Sequence, residues 1–304
     1  MNAFKTLMIA GALCAVGTAA LAQQAQYREI VTNSSGFPTP YGASAPHASP
    51  LTLNLVGHDP RLTGQIQFVS TPAPSVFVRV TADGVNGDLG AELRYTFDVT
   101  GPSNAFVPIA YTAHFNLSPE NFLAGASAQF TVMAYSIGFG VVGAVSGNVS
   151  CGQSCQASAQ PSDSGSAQST IAIHYDGIGA NAAGGLGGMA AYGTFSGVLM
   201  APTNAAGLGM GYVYLDASAS GNAAQVGANN TSWAFIDPRF EVLPSYLATN
   251  PDAGLQILAG VGNESGTMPV PEPGAALLML IGLAGLVAAR RAVQPSPPAD
   301  SLCV

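Results

Sequence analysis

Few residues here have types and spacings that do chemistry, and each candidate is decided by the chain around it. Gly138-Phe139-Gly140-Val141-Val142-Gly143 fits the glycine fingerprint of dinucleotide-binding turns letter by letter. That fingerprint works where a strand ends and a helix begins, so that helix N-terminal amides meet a pyrophosphate. Here Val141 to Val149 continues in strand pattern, and the glycines are expected to relieve crowding in a twisted or bulged strand. Ala134-Tyr135-Ser136-Ile137-Gly138 has the spacing of a variant nucleophile elbow, which also needs a helix after the serine. None is predicted, so Ser136 is expected to be an ordinary strand residue.

His47, His58, His114 and His174 are scattered along the chain. His58-Asp59 and His174-Tyr175-Asp176 each supply two members of a metal or acid-base set, with no third at readable spacing. The segment from Asp83 to Asp88 offers carboxylate and amide oxygens but lacks the bidentate acidic residue of a calcium loop, and a hairpin turn is the expectation. Paired carboxylates for glycoside hydrolysis are a spatial feature that no sequence spacing reveals. No catalytic residue, cofactor or metal is assigned.

These candidates must be positioned by strands. Leu51, Leu53 and Leu55 alternate with Thr52, Asn54 and Val56, Ile66 and Phe68 with Gln65 and Gln67, and Val76, Val78 and Val80 with Phe77, Arg79 and Thr81. The pattern continues through Leu89 to Val99, Phe106 to Leu117, Ala128 to Val149, Ser169 to Tyr175, Tyr192 to Met200, Gly209 to Leu215 and Thr231 to Val242. Gly, Asn, Asp and Pro separate these runs, and no sustained 3.6-residue period interrupts them. The expected fold is all-β, a single antiparallel β-sandwich or open barrel of about ten strands over residues 51–268. Residues 23–50, punctuated by Pro38, Pro40, Pro46 and Pro50, are expected to be an extended lead-in. Asn121 to Ala128 suits a helical turn, while Cys151 to Ser169 and Gly177 to Gly193 are expected as loops.

Both ends carry targeting patterns. Residues 1–22 join Lys5, an apolar stretch from Leu7 to Ala19 and the small-x-small site Ala20-Leu21-Ala22, the pattern of a signal peptide. Signal peptidase is expected to leave Gln23 as the first residue. Cys14 follows Leu13, which is too large for lipoprotein processing. Residues 269–291 join Val270-Pro271-Glu272-Pro273, an apolar run from Gly274 to Ala289 and the pair Arg290-Arg291. At ~1.5 Å per residue the apolar run falls short of the ~30 Å bilayer core, so it spans only with the arginines snorkelling to the cytoplasmic headgroups. The prolines keep the preceding peptide extended and accessible.

The order of extended motif, short apolar helix and basic pair resembles the PEP-CTERM sorting signal of Gram-negative bacteria. Where such tails usually end, this chain continues through residues 292–304, expected to be a disordered tail. The resemblance implies an exosortase as partner, an inner-membrane-anchored intermediate held by the helix before processing, and a final place at the cell surface or outside the cell. Ala234-Phe235-Ile236-Asp237-Pro238, the following strand, Tyr246 and Gly260-Val261-Gly262-Asn263 resemble the last strands before that signal, which implies that they close the body.

Composition limits what such a body does. Lys5 is the only lysine, and acidic residues outnumber basic ones, 16 to 8. Nucleic acid is therefore excluded as a partner. Neutral hydroxyl and amide side chains suit a hydrated polymer, so the expected function is a non-enzymatic exopolysaccharide-associated matrix or biofilm protein. Two alternatives are a hydrolase of polysaccharide or ester bonds and a glycan-binding module using Trp233, Tyr192, Tyr212 and Tyr214. Once Cys14 leaves with the signal and Cys303 with the tail, Cys151 and Cys155 are expected to pair in an oxidising compartment.

Overall fold

The computed structural model describes residues 27–38, 41–46, 50–119, 124–136, 140–152, 154–161, 167–177, 189–222 and 229–264. The chain divides into units Met1–Thr267 and Met268–Val304, and the described residues all belong to the first. Ala20, Ala22, Gln23, Val270, Pro271, Glu272, Pro273, Arg290 and Arg291 lie outside them, as does His47.

The described residues form fifteen strands, where about ten were expected. They are β1 (Tyr27–Asn33), β2 (Gly42–Ala43), β3 (Leu51–Val56), β4 (Leu62–Val69), β5 (Ser75–Asp83), β6 (Asn86–Thr100), β7 (Phe106–Pro119) and β8 (Gly125–Ser136). After these come β9 (Gly140–Cys151), β10 (Cys155–Pro161), β11 (Ala167–Gly177), β12 (Met189–Pro202), β13 (Leu208–Asn222), β14 (Asn229–Val242) and β15 (Gly254–Ile257). One helical turn, Pro244–Leu247, separates the last two. Among the described residues no helix is long and apolar enough to cross a membrane.

The strands form two sheets, every pair antiparallel. The first runs β10-β9-β8-β13-β6-β1-β2, with β15 on β6 as well, and the second runs β11-β12-β7-β14-β5-β4-β3. Alternation makes each strand two-faced. Leu89, Ala91, Leu93, Tyr95, Phe97 and Val99 of β6, and Val107, Ile109, Tyr111, Ala113, Phe115 and Leu117 of β7, are all buried in one core cluster. Aromatic rings meet within it from opposite sheets, Phe97 with Phe240 at 5.5 Å and Tyr111 with Phe130 at 5.3 Å between centroids. Such pairs add ~1 kcal/mol beyond the area they bury. Two glycines make room for rings: a Cβ on Gly211 would lie 1.9 Å from Phe97, its cross-strand partner, and one on Gly147 would lie 2.6 Å from Phe195.

The additional strands have local causes. Ala128 to Val149 reads as one alternating run but folds as β8 and β9, which pair with each other through a register shift after Ala134. That bulge lies opposite Val141 and Gly143, so this half of the glycine fingerprint is irregular strand, and β9 continues to Cys151 with no helix. The lead-in contributes β1, which pairs with β6 and brings Glu29 into the core. The Tyr27 hydroxyl donates to the Glu29 carboxylate. Burial first, and Glu29 second, raise the Tyr27 pKa far above the ordinary phenol value. The expected loop from Cys151 to Ser169 contains β10, and the expected helical turn ends in the strand residues Gly125 to Ala128.

Residues 254–263 hydrogen-bond back to β6, to Ser70 and to β14. Leu258 N–H donates to Thr96 at 3.1 Å and Gly262 N–H to Ser70 at 2.7 Å. The Asn263 amide donates to Phe240 O at 2.6 Å and accepts from Phe240 N–H at 2.8 Å, standing in for a strand where β14 extends beyond its pairing with β5.

Candidate functional site

Side chains that do not enter the core stand on the outer faces, and strand register aligns them in rows. On the first sheet Glu92 lies opposite Asp216 and Asp216 opposite Gln129. In the next row Arg94 lies opposite Tyr214, and one row further Thr96 lies opposite Tyr212. Arg94 Nε donates to Glu92 Oε2 at 2.8 Å, its Nη2 donates to the same oxygen, and Tyr214 O–H donates to Glu92 Oε1 at 3.0 Å. The Arg94 guanidinium also sits over the Tyr214 ring, 5.0 Å from its centroid. Glu92 is thereby only 8% exposed.

Burial, then the negative charge of Glu92, push the Asp216 carboxyl up to about 6, against a smaller opposing pull from Arg94. Asp216 and Glu92 share a row, but only Glu92 is held directly by the arginine. Carboxyls in such unequal surroundings can divide acid and base roles. Burial also raises the Tyr214 phenol, with Asp216 and Glu92 adding to it.

The second sheet carries different chemistry. His114 on β7 faces Asp237 on β14, and its Nδ1–H donates to Asp237 Oδ1 at 3.1 Å. The imidazole is 41% exposed while Asp237 is fully buried. That hydrogen bond raises the His114 pKa, overcoming the lowering effect of burial. Elsewhere on this sheet several cross-strand hydrogen bonds join neutral groups. Asn54 accepts from Gln65 at 3.2 Å, Thr52 accepts from Gln67 at 3.4 Å, and Thr170 and Ser196 hydroxyls meet at 3.0 Å. Towards the β11 edge, Tyr192 lies opposite His174 and the two rings stack at 5.2 Å with an 18° tilt. Trp233 packs at 6.2 Å on Phe77, which is buried.

This geometry separates residues that the sequence suggested as sets. Trp233 and Tyr192 stand on the outer face of the second sheet and Tyr212 and Tyr214 on that of the first, so the four do not form one platform. Ser136 ends β8 in the first sheet, whereas the His114–Asp237 pair belongs to the second. His58 donates its backbone N–H to Gly36 O at 2.8 Å, and Asp59 pairs with Arg61 at 2.6 Å, which brings the Asp59 carboxyl down to about 2.

Asp83 to Asp88 is not a hairpin. It carries the chain from the second sheet to the first, with Gly84 at φ 66° in the left-handed region. No three His, Cys, Asp or Glu residues among the described residues gather as a metal site. Cys151 and Cys155 are disulfide-bonded, face each other across β9 and β10, and fasten the end of an edge hairpin.

Both outer-face pairs escaped sequence reading because their partners lie far apart, with Glu92 bonded to Tyr214 at a separation of 122 residues and His114 to Asp237 at 123. The available signal was parity. Glu92 and Arg94 flank the core position Leu93, which puts both on one face without revealing which strand lies alongside. No protein-family model matches the chain, and no curated protein matches it.

Proposed function

We propose that this is an exported, non-enzymatic β-sandwich protein of the cell surface or extracellular matrix, sorted by an exosortase and associated with exopolysaccharide. The observation that carries the reading is the sequence Val270-Pro271-Glu272-Pro273, the apolar run and Arg290-Arg291. Signal peptidase cuts after Ala22. The short helix then holds an inner-membrane intermediate whose extended Pro-Glu-Pro segment is offered to the exosortase. The test is the intact mass of the protein from the native host. The expected mass lacks residues from about Gly274 onward in wild type and retains them when the exosortase gene is deleted. A tail retained in both strains overturns sorting in favour of a plain membrane anchor.

A second reading, a polysaccharide hydrolase, is favoured by one observation, the Glu92 and Asp216 row with its unequal surroundings. In that reading Asp216 is the general acid and Glu92 the base or nucleophile. It predicts release of reducing ends from host polysaccharide, abolished by either Glu92→Gln or Asp216→Asn. The non-enzymatic reading predicts no release by the wild-type protein.

A further inference from the structure

We infer that the outer face of the second sheet binds carbohydrate at the Tyr192–His174 stack, and that its ligand is a neutral, hydroxyl-rich polysaccharide. This assignment rests on the polymer association proposed above and adds the place and the ligand class.

Tyr192 is 43% exposed, and it stands in a strand where the alternate residues Ala191, Phe195 and Leu199 fill the core. His174, its partner on the edge strand β11, covers one side of the ring and limits its rotation. On the other side of β12 from His174, Asn116 of β7 lies in register with Tyr192. A ring already held in place loses little side-chain freedom when a ligand packs on it. Pyranose rings present C–H groups on a face and hydroxyls around the rim. A face laid on Tyr192 directs the rim to the Asn116 amide and to Thr194, the next outward residue of β12, which supply neutral donors and acceptors.

Charge decides the ligand class. The Asp237 carboxylate beside His114 is fully buried. Arg239, further along β14, is 3.7 Å from Glu241, and Arg79 is on β5, two strands from β7 across β14. No lysine or arginine belongs to β7, β11 or β12, so the stack has no permanent cation with which to hold a polyuronate, and the ionisable nitrogens near it are those of His174 and of His114, which lies opposite Thr194. The first sheet is the poorer candidate, because the Tyr214 ring already has Arg94 over it and its hydroxyl is committed to Glu92.

The test is affinity gel electrophoresis of full-length exported protein through three matrices: host exopolysaccharide, hydroxyethyl cellulose as a neutral probe and alginate as a polyuronate. The expected result is retardation by the first two, unchanged between low and high salt. Tyr192→Ala is expected to weaken binding about tenfold. Tyr192→Phe keeps the ring and retains binding, His174→Ala weakens it less, and Tyr214→Phe on the other sheet changes nothing. Thermal melting checks that each variant is folded, and if Tyr192→Ala is not, His174→Ala with Thr194→Ala carries the test. Host-polymer binding that all the second-sheet variants leave intact overturns the site while the matrix reading stands. Retardation by alginate that salt abolishes overturns the neutral ligand class. Wild-type protein retarded by no matrix overturns this inference and polymer association together, leaving exosortase sorting to the mass measurement.

Discussion

On the outer face of the first sheet, charged groups stand beside charged or phenolic ones, Glu92 with Arg94 and Tyr214, and Asp216 beside Glu92. On the second sheet, outside the His114–Asp237 and Arg239–Glu241 pairs, cross-strand hydrogen bonds join neutral groups, Asn54 with Gln65 and Thr170 with Ser196. Both faces come from the same alternation over the same core, so the contrast is in the outward residues and not in the fold. A charge packed among long side chains loses water and must recover it from specific partners, whereas an exposed amide or hydroxyl exchanges water for its neighbour at little net change. The first face is therefore sensitive to single substitutions and to pH. The second is tolerant, and its exposed ring remains available.

The largest expected effect is at Glu92. Glu92→Ala leaves the half-buried Arg94 without its carboxylate and the Tyr214 hydroxyl without its acceptor, costing about 3 kcal/mol in chemical denaturation. The same change removes a negative charge beside Asp216. The Asp216 carboxyl, followed by NMR, is expected to titrate lower, yet above the ordinary value, because burial is the larger cause of its shift.

Asp216→Asn comes next, with the opposite sign. A carboxyl raised on folding from 3.8 to about 6 binds its proton more tightly in the folded state. Its contribution is fully present below pH 3.8 and is lost as pH rises through about 6. A rise from 3.8 to about 6 corresponds to at most about 3 kcal/mol. Asparagine mimics the neutral form, so the variant is expected to exceed wild type by up to that amount at pH 7 and to match it near pH 4. Equal stabilities at both pH values would show that Asp216 is better hydrated than its surroundings imply.

How far the sequence reveals these faces depends on the range of the interaction. Strand periodicity is local, so the all-β class and the core positions of β6 and β7 are readable from alternation alone. Register between strands distant in sequence is not readable, because any strand of matching parity satisfies the same pattern. Ala128 to Val149 shows the failure in small: a hairpin with apolar residues on both sides of its turn keeps the alternation of a single strand. Glu29 shows another limit, since an acid in a proline-punctuated stretch reads as exposed until Tyr27 is placed beside it in the core. Cys151 and Cys155 paired as expected because only a short turn lies between them.

A smaller pH effect separates the faces further. His114 gains its proton more readily in the folded protein because of Asp237, so its contribution is complete below pH 6.5 and is lost as pH rises through the raised folded value. This window lies above that of Asp216. His114→Gln is expected to flatten the stability profile above pH 6.5 and leave the acid limb unchanged. The amplitude is small because the imidazole is 41% exposed and screened by solvent. A flattened acid limb instead would couple the two faces through the core.

The smallest expected effects belong to the neutral rows, and they separate the faces most clearly. Gln65→Ala and Thr170→Ala each remove one exposed cross-strand hydrogen bond and are expected to cost about 0.5 kcal/mol. Gln65 is on β4 and Thr170 on β11, near opposite edges of a seven-stranded sheet, so the double variant should cost the sum of the two. Raising salt to about 1 M shortens the screening length to roughly 3 Å and acts on charges, not on amides or hydroxyls. The Gln65 and Thr170 costs are therefore expected to stay constant in salt, while the coupling between Glu92→Ala and Arg94→Ala in a double-mutant cycle shrinks. If the Gln65 and Thr170 costs fall with salt, charge contributes to these two hydrogen bonds as well, and the physical distinction between them and the Glu92–Arg94 pair fails.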